Sequence, residues 1–122
     1  MKILVVDDSE TLRVQLKQDL EKGGFQVVEG VDGVNGIEVL EKNKDVALIV
    51  CDVNMPNMDG LTMCSKVHQT AEFKAIPIFM LTTESGPEMK AKGKEAGVIA
   101  WITKPYVAEK MLAAIGKVLK KT

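Results

Sequence analysis

Four polar clusters stand out in a chain of 122 residues: Asp7-Asp8, Asp52, Thr82-Thr83 and Lys104. Each comes at the end of a short run of Val, Ile and Leu. If the three carboxylates converge, they repel, and a pair 4 Å apart costs roughly 4 kcal/mol at an effective dielectric near 20. Folding alone gives no reason to accept that cost. A divalent cation relieves it. An all-oxygen ligand set suits Mg²⁺, which takes one or two carboxylates, waters and phosphate oxygens. Lys104 adds a mobile point charge suited to a phosphoryl group, and the Thr82 hydroxyl can donate to a phosphate oxygen. Aspartate is itself a nucleophile toward phosphorus, giving an acyl phosphate. The set reads as a metal-assisted phosphoryl-transfer site in which the metal and Lys104 offset transition-state charge.

Taken singly, each residue has an ordinary explanation. Asp7 or Asp8 could cap a helix, Asp52 could be a turn residue, and Thr82 could be a turn or cap hydroxyl. Their joint position at four strand ends favours the functional reading.

The elements that must position them follow from hydrophobic pattern. Ile3–Val6, Val46–Cys51, Ile76–Leu81 and Val98–Ile102 are short, continuous apolar runs, the pattern of strands buried on both faces. Gln26–Gly30 reads as an edge strand. Between them, Leu12, Leu16 and Leu20 repeat every four residues before Gly23-Gly24. Val34, Ile37 and Leu40 follow an Asp32-Gly33 turn, and Leu61, Cys64 and Val67 share the same spacing. Ser85 and Glu88 have capping-box spacing ahead of a helix over Pro87–Ala96. A last helix carries Ala108, Leu112, Ile115 and Leu119 on one stripe, with Lys117, Lys120 and Lys121 near its C-terminus. Strand and helix alternate five times. The expected fold is α/β: a doubly wound, five-stranded parallel sheet with helices on both faces. Ligands bind such sheets at the C-terminal strand edge, where the four clusters would meet.

Composition narrows the function classes. Lys plus Arg is 16 and Asp plus Glu is 17, a formal net charge of −1 that argues against nucleic-acid binding. No apolar run approaches the roughly 20 residues of a membrane span, and no secretory signal is expected. Cys51 and Cys64 read as buried thiols of a cytoplasmic protein. His68, the only histidine, lacks partners for zinc and reads as a helix-surface residue.

Val5-Val6-Asp7-Asp8, Asp52 through Gly60 (DVNMPNMDG), Thr82-Thr83-Glu84 and Lys104-Pro105-Tyr106 together resemble the receiver domain of two-component response regulators, most of all its single-domain chemotaxis branch. The resemblance spans residues 1–122 and implies one receiver domain without an effector domain, a cytoplasmic monomer that diffuses to its target. It implies the flavodoxin-like strand order 2-1-3-4-5, which the residue pattern does not itself supply. Asp52 matches the phospho-acceptor, charged by a histidine kinase. Asp8 and Asp52 match direct Mg²⁺ ligands, Asn54 a backbone-carbonyl ligand, and Asp7 the acidic residue that holds the metal through water. Thr82 matches the switch hydroxyl, followed by Thr83, and Lys104 the lysine that pairs with the phosphoryl group. The Lys104-Pro105 bond is typically cis in the family. Asn54 and Glu84 match two variable positions that tune dephosphorylation.

The implied partners are the kinase, a phosphatase, and a target such as the flagellar motor switch, bound by the fourth helix, fifth strand and fifth helix. Lys90, Lys92, Lys94 and Lys110 fall in that region. Trp101 departs from the pattern, standing where the family's switch residue is usually Tyr or Phe. A larger indole turns less readily, and its N–H needs a partner if buried.

No enzymatic turnover beyond self-phosphorylation and self-dephosphorylation of Asp52 is expected. An aspartyl-nucleophile phosphatase of the haloacid-dehalogenase type usually carries a second Asp two residues on; Asn54, which cannot exchange a proton, stands there. A flavodoxin-like FMN carrier would need a Ser, Thr and Gly loop in place of Asp7-Asp8. No nucleotide-binding glycine motif is present. Within the receiver class, a phosphorelay intermediate is the alternative.

Overall fold

The computed structural model describes residues 1–120; Lys121, expected near the last helix terminus, lies outside the described residues. Five strands, β1 (Lys2–Val6), β2 (Gln26–Gly30), β3 (Val46–Cys51), β4 (Ile78–Thr82) and β5 (Val98–Thr103), alternate with α1 (Glu10–Lys22), α2 (Gly33–Lys42), α3 (Gly60–Gln69), α4 (Pro87–Glu95) and α5 (Ala108–Leu119). The strands are all parallel in the order β2-β1-β3-β4-β5.

Two-residue alternation divides the core between the sheet faces. Ile3, Val5, Leu48, Val50, Phe79 and Leu81 pack with Leu16 and Leu20 of α1 and Met111 and Ile115 of α5. Leu4, Val6, Ile49, Cys51, Ile78 and Met80 pack with Leu40 of α2, Met63, Cys64 and Val67 of α3, and Ala96 after α4. Burying side chains of this kind stabilises by about 1.5–3 kcal/mol each.

Beyond one-residue shifts at the ends of β1, α4 and β5, the structure departs from the sequence reading at β4, at the start of α4 and on the face of α5. β4 begins at Ile78 because Pro77 has no N–H for the ladder, although its carbonyl accepts from the Ile49 amide at 3.0 Å. The strand continues through Thr82, which is its buried last residue. Ser85 does not cap α4: the N-cap is Gly86, without a side-chain cap bond, and Pro87 alone marks the start. On α5 the fully buried residues are Met111 and Ile115, so the core stripe is rotated from the one read through Ala108, Leu112 and Leu119, which are half-buried.

Candidate functional site

The C-terminal ends of β1, β3 and β5 bring the acidic and basic residues together. Asp7 and Asp52 are buried and Asp8 is exposed, and one carboxylate oxygen from each lies within 4.8 Å of the others. The Lys104 ammonium donates to Asp7 Oδ2 at 3.0 Å and to Asp52 Oδ2 at 3.0 Å. Its backbone amide donates to the Thr82 carbonyl at 2.8 Å, and the Lys104-Pro105 peptide is cis.

Local chemistry orients each carboxylate. Asp7 Oδ1 accepts from the Ser9 amide at 2.8 Å, and Ser9, not Asp7 or Asp8, is the N-cap of α1. Asp52 Oδ1 accepts from the Val53 amide at 2.6 Å. Burial holds the Asp7 carboxyl above the usual range, against the lowering effect of the Ser9 amide and Lys104. For Lys104 burial works against the charge, but its hydrogen bonds to Asp7 and Asp52 outweigh it and raise its pKa, so it stays an ammonium.

The donor set fits a hard cation. It offers carboxylate oxygens only, and Asp8 opens to solvent, which could supply the water that such a cation retains. Asp7, Asp8 and Asp52 would hold it.

Thr82 is fully buried, with its hydroxyl accepting from the Glu84 amide at 3.2 Å. Thr83 is exposed and lines a separate surface depression with Leu12, Gln15, Lys104, Pro105 and Tyr106. Asn54 Nδ2 donates to Glu84 Oε1 at 3.0 Å, tying the loop after β3 to the loop after β4. Glu84 also takes up the indole of Trp101, whose Nε1 donates to its carbonyl at 2.8 Å. Trp101 is half-buried against Gly93 of α4, where an added Cβ would lie 2.7 Å from Cζ3. Met80 pairs with Trp101, and Thr82 is two residues further along the same face, so the hydroxyl and the indole are diagonal neighbours.

Several supporting contacts escaped the sequence reading. Arg13 on α1 donates Nη1 to the Asp7 carbonyl at 2.5 Å and Nε to Glu29 of β2 at 3.2 Å. Its place one turn into the helix after the Asp pair was the available signal. Tyr106 donates to Asp19 Oδ2 at 2.6 Å, linking the loop after β5 to α1. Asn57, at φ 67°, donates Nδ2 to Asp32 Oδ2 at 2.7 Å. The exposed His68 packs beside Gly97, and Cys51 and Cys64 are buried and unpaired by disulfide.

Comparisons with known proteins agree with this architecture. Residues 3–116 match the family model described as the response regulator receiver domain. The chain is 42% identical over 110 residues to chemotaxis protein CheY1 of Helicobacter pylori, covering 89% of each chain. It is 38% identical over 120 residues to the CheY homolog of Campylobacter jejuni, covering 98% of this chain and 92% of that one. A crystal structure of Vibrio cholerae chemotaxis protein CheY4 superimposes with a TM-score of 0.90 at 36% identity, covering 96% of this chain and 97% of that chain. A parallel sheet ordered 2-1-3-4-5, an acidic cluster at its C-terminal edge and a family match across nearly the whole chain converge on one assignment. This chain belongs to the response regulator receiver domain family and is homologous to the CheY chemotaxis regulators.

Proposed function

We propose that this receiver domain is a switch in which Asp52 accepts a phosphoryl group from a histidine kinase. The observation that carries the reading is the contact of Lys104 Nζ with both Asp7 and Asp52, beside an Asp8 oxygen in the same cluster. Asp8, Asp52 and the Asn54 carbonyl would hold Mg²⁺ directly, and Asp7 through water. When bound, the cation supplies positive charge for the phosphoryl oxygens. Asp52 is the nucleophile. Lys104, held as an ammonium, moves from the carboxylates to a phosphoryl oxygen, and Thr82 turns its hydroxyl toward another. Asn54 and Glu84 flank the acceptor and set how readily water reaches it.

Phosphorylation adds about −1.5 to −2 charges and three strong acceptors, enough to draw both groups. Movement of Thr82 alters the space beside its diagonal neighbour Trp101, and through it the α4-β5-α5 face. Lys90, Lys92, Lys94 and Lys110 are exposed there and suit an acidic target, such as the flagellar motor switch. Among the described residues no helix is long and apolar enough to cross a membrane.

The test is incubation with a small acyl phosphate and Mg²⁺, read by intact mass. Wild type gains one phosphoryl group, and Asp52→Asn or a chelator abolishes the gain. Equal labelling of Asp52→Asn overturns the assignment.

A further inference from the structure

The segment between Asp52 and α3 carries Asn54 and leaves the sheet edge as an irregular loop, with no ladder to fix it. Its far side is nevertheless tied to the start of α2 by two bonds. Asn57 Nδ2 donates to Asp32 Oδ2 at 2.7 Å, and the Gly33 amide donates to the Met58 carbonyl at 3.1 Å. Asp32 is buried, and its other oxygen caps α2 by accepting from the Asn35 amide at 2.8 Å. Both carboxylate oxygens are thus committed, one to the helix and one to the loop. The bond from the Asn35 amide, followed by that from Asn57, holds the Asp32 carboxyl below its usual range, so it stays charged. Gly33 lets the two segments touch: a Cβ there would lie 2.5 Å from the Met58 carbonyl oxygen. Asn57 stands in the left-handed region, which Asn tolerates better than most residues.

We propose that Asp32 is a positioning residue for the phosphoryl-transfer site: through Asn57 it sets the path of the loop that presents the Asn54 carbonyl. The proposal rests on the Asp52 reading above and deepens it. Groups behind metal ligands are worth about 10-fold or more in affinity when they fix ligand direction. Asp32 acts at one further remove, through three residues of loop, so the expected loss is near the lower end of that range.

The experiment separates the cap from the tether. Asn57→Gly keeps the left-handed turn, the α2 cap and the backbone bond from Gly33 to Met58, but removes the side-chain tether to Asp32. Asn57→Asp leaves Asp32 as the cap but sets against it a second carboxylate, which cannot donate. The double variant Asp32→Asn with Asn57→Asp reverses donor and acceptor and restores the bond. Mg²⁺ affinity is measured by Trp101 fluorescence, and the amide chemical shifts of residues 53–59 are recorded in chelator. Both single variants should bind Mg²⁺ about 10-fold more weakly and shift the 53–59 amides. The double variant should recover most of the affinity and the wild-type shifts. Single variants that lose only thermal stability, with Mg²⁺ affinity within about twofold of wild type, would overturn the proposal. So would a double variant no better than the singles. Acyl-phosphate labelling of wild type runs alongside: its failure refutes the Asp52 reading, whereas normal labelling with unaffected single variants refutes only the role of Asp32.

Discussion

Replacing Lys104 with Met should destabilise the chelator-treated protein and, at the same time, strengthen Mg²⁺ binding. Oxygens of Asp7, Asp8 and Asp52 lie within 4.8 Å of one another, so each pair repels by about 3.5 kcal/mol at an effective dielectric of about 20. Lys104 sits 3.0 Å from two of them, and each contact returns about 5.5 kcal/mol on the same scale. These are gross values, and desolvation of the ammonium offsets much of them. Removing one partner of a buried pair costs about 3–5 kcal/mol because a charge is left uncompensated. The Lys104 side chain is 20% exposed and Asp8 faces water, so the expected cost is smaller, about 2–3 kcal/mol. At about 4 °C per kcal/mol for a domain of this size, Tm falls by about 8–12 °C.

Binding moves the other way. In wild type a cation bound at the cluster would compete with the ammonium for the Asp7 and Asp52 oxygens. Without that competitor, a tenfold lower Kd corresponds to about 1.4 kcal/mol. The gain in Tm on adding Mg²⁺ should therefore be larger for Lys104→Met by about 6 °C at the same saturating concentration. Thermal unfolding followed by circular dichroism, in chelator and across a Mg²⁺ series, reads both effects. Equal stabilisation of the two proteins by Mg²⁺, or no loss in chelator, would refute the view of Lys104 as the carboxylates' counter-charge.

Three other perturbations have defined outcomes. Burial raises the Asp7 pKa, so the native chain takes up that proton more readily than the unfolded chain; the cost of its charge is present above the folded pKa and relieved as pH falls through it. Mg²⁺ affinity should consequently weaken on acidification before an ordinary aspartate near pKa 3.9 would titrate, and an affinity that falls only within the ordinary aspartate range contradicts this. Gly60→Ala places a Cβ 1.7 Å from the Asp52 carbonyl oxygen and should cost at least about 3 kcal/mol in urea unfolding; a loss under about 1 kcal/mol sinks the argument. Gly93→Ala should gain about 1 kcal/mol of helix propensity, but its Cβ would stand 2.7 Å from Trp101 Cζ3, so the indole must shift and its emission change; an unaltered spectrum shows the pocket to be looser than the geometry implies.

The sheet and the central cluster were legible because both follow local rules. Continuous Val and Ile runs mark strands buried on two faces, and a polar residue closing such a run must emerge at the sheet edge. Asp7, Asp52 and Lys104 could be grouped on that basis alone. The supporting contacts obey no period. Arg13 reaches the Asp7 carbonyl, and Tyr106 reaches Asp19, only because α1 has one particular rotation over the sheet. Asp32 reads as a turn residue until Asn57 is brought beside it. The capping box at Ser85 and Glu88 failed for a related reason. The motif records what the residues can do, whereas the chain entering α4 also carries Glu84, whose position is set by Asn54 and Trp101.

Glu84 has a consequence for how such a protein diverges. Its side chain meets Asn54, whereas its backbone carbonyl meets Trp101. Every amino acid supplies that carbonyl, but only some supply a carboxylate. Substitution at this position can therefore vary the chemistry beside Asp52 while leaving the anchor of the indole in place. In the switch proposed above, signal lifetime and signal delivery would pass through the same residue yet be inherited separately, one by its side chain and the other by its backbone.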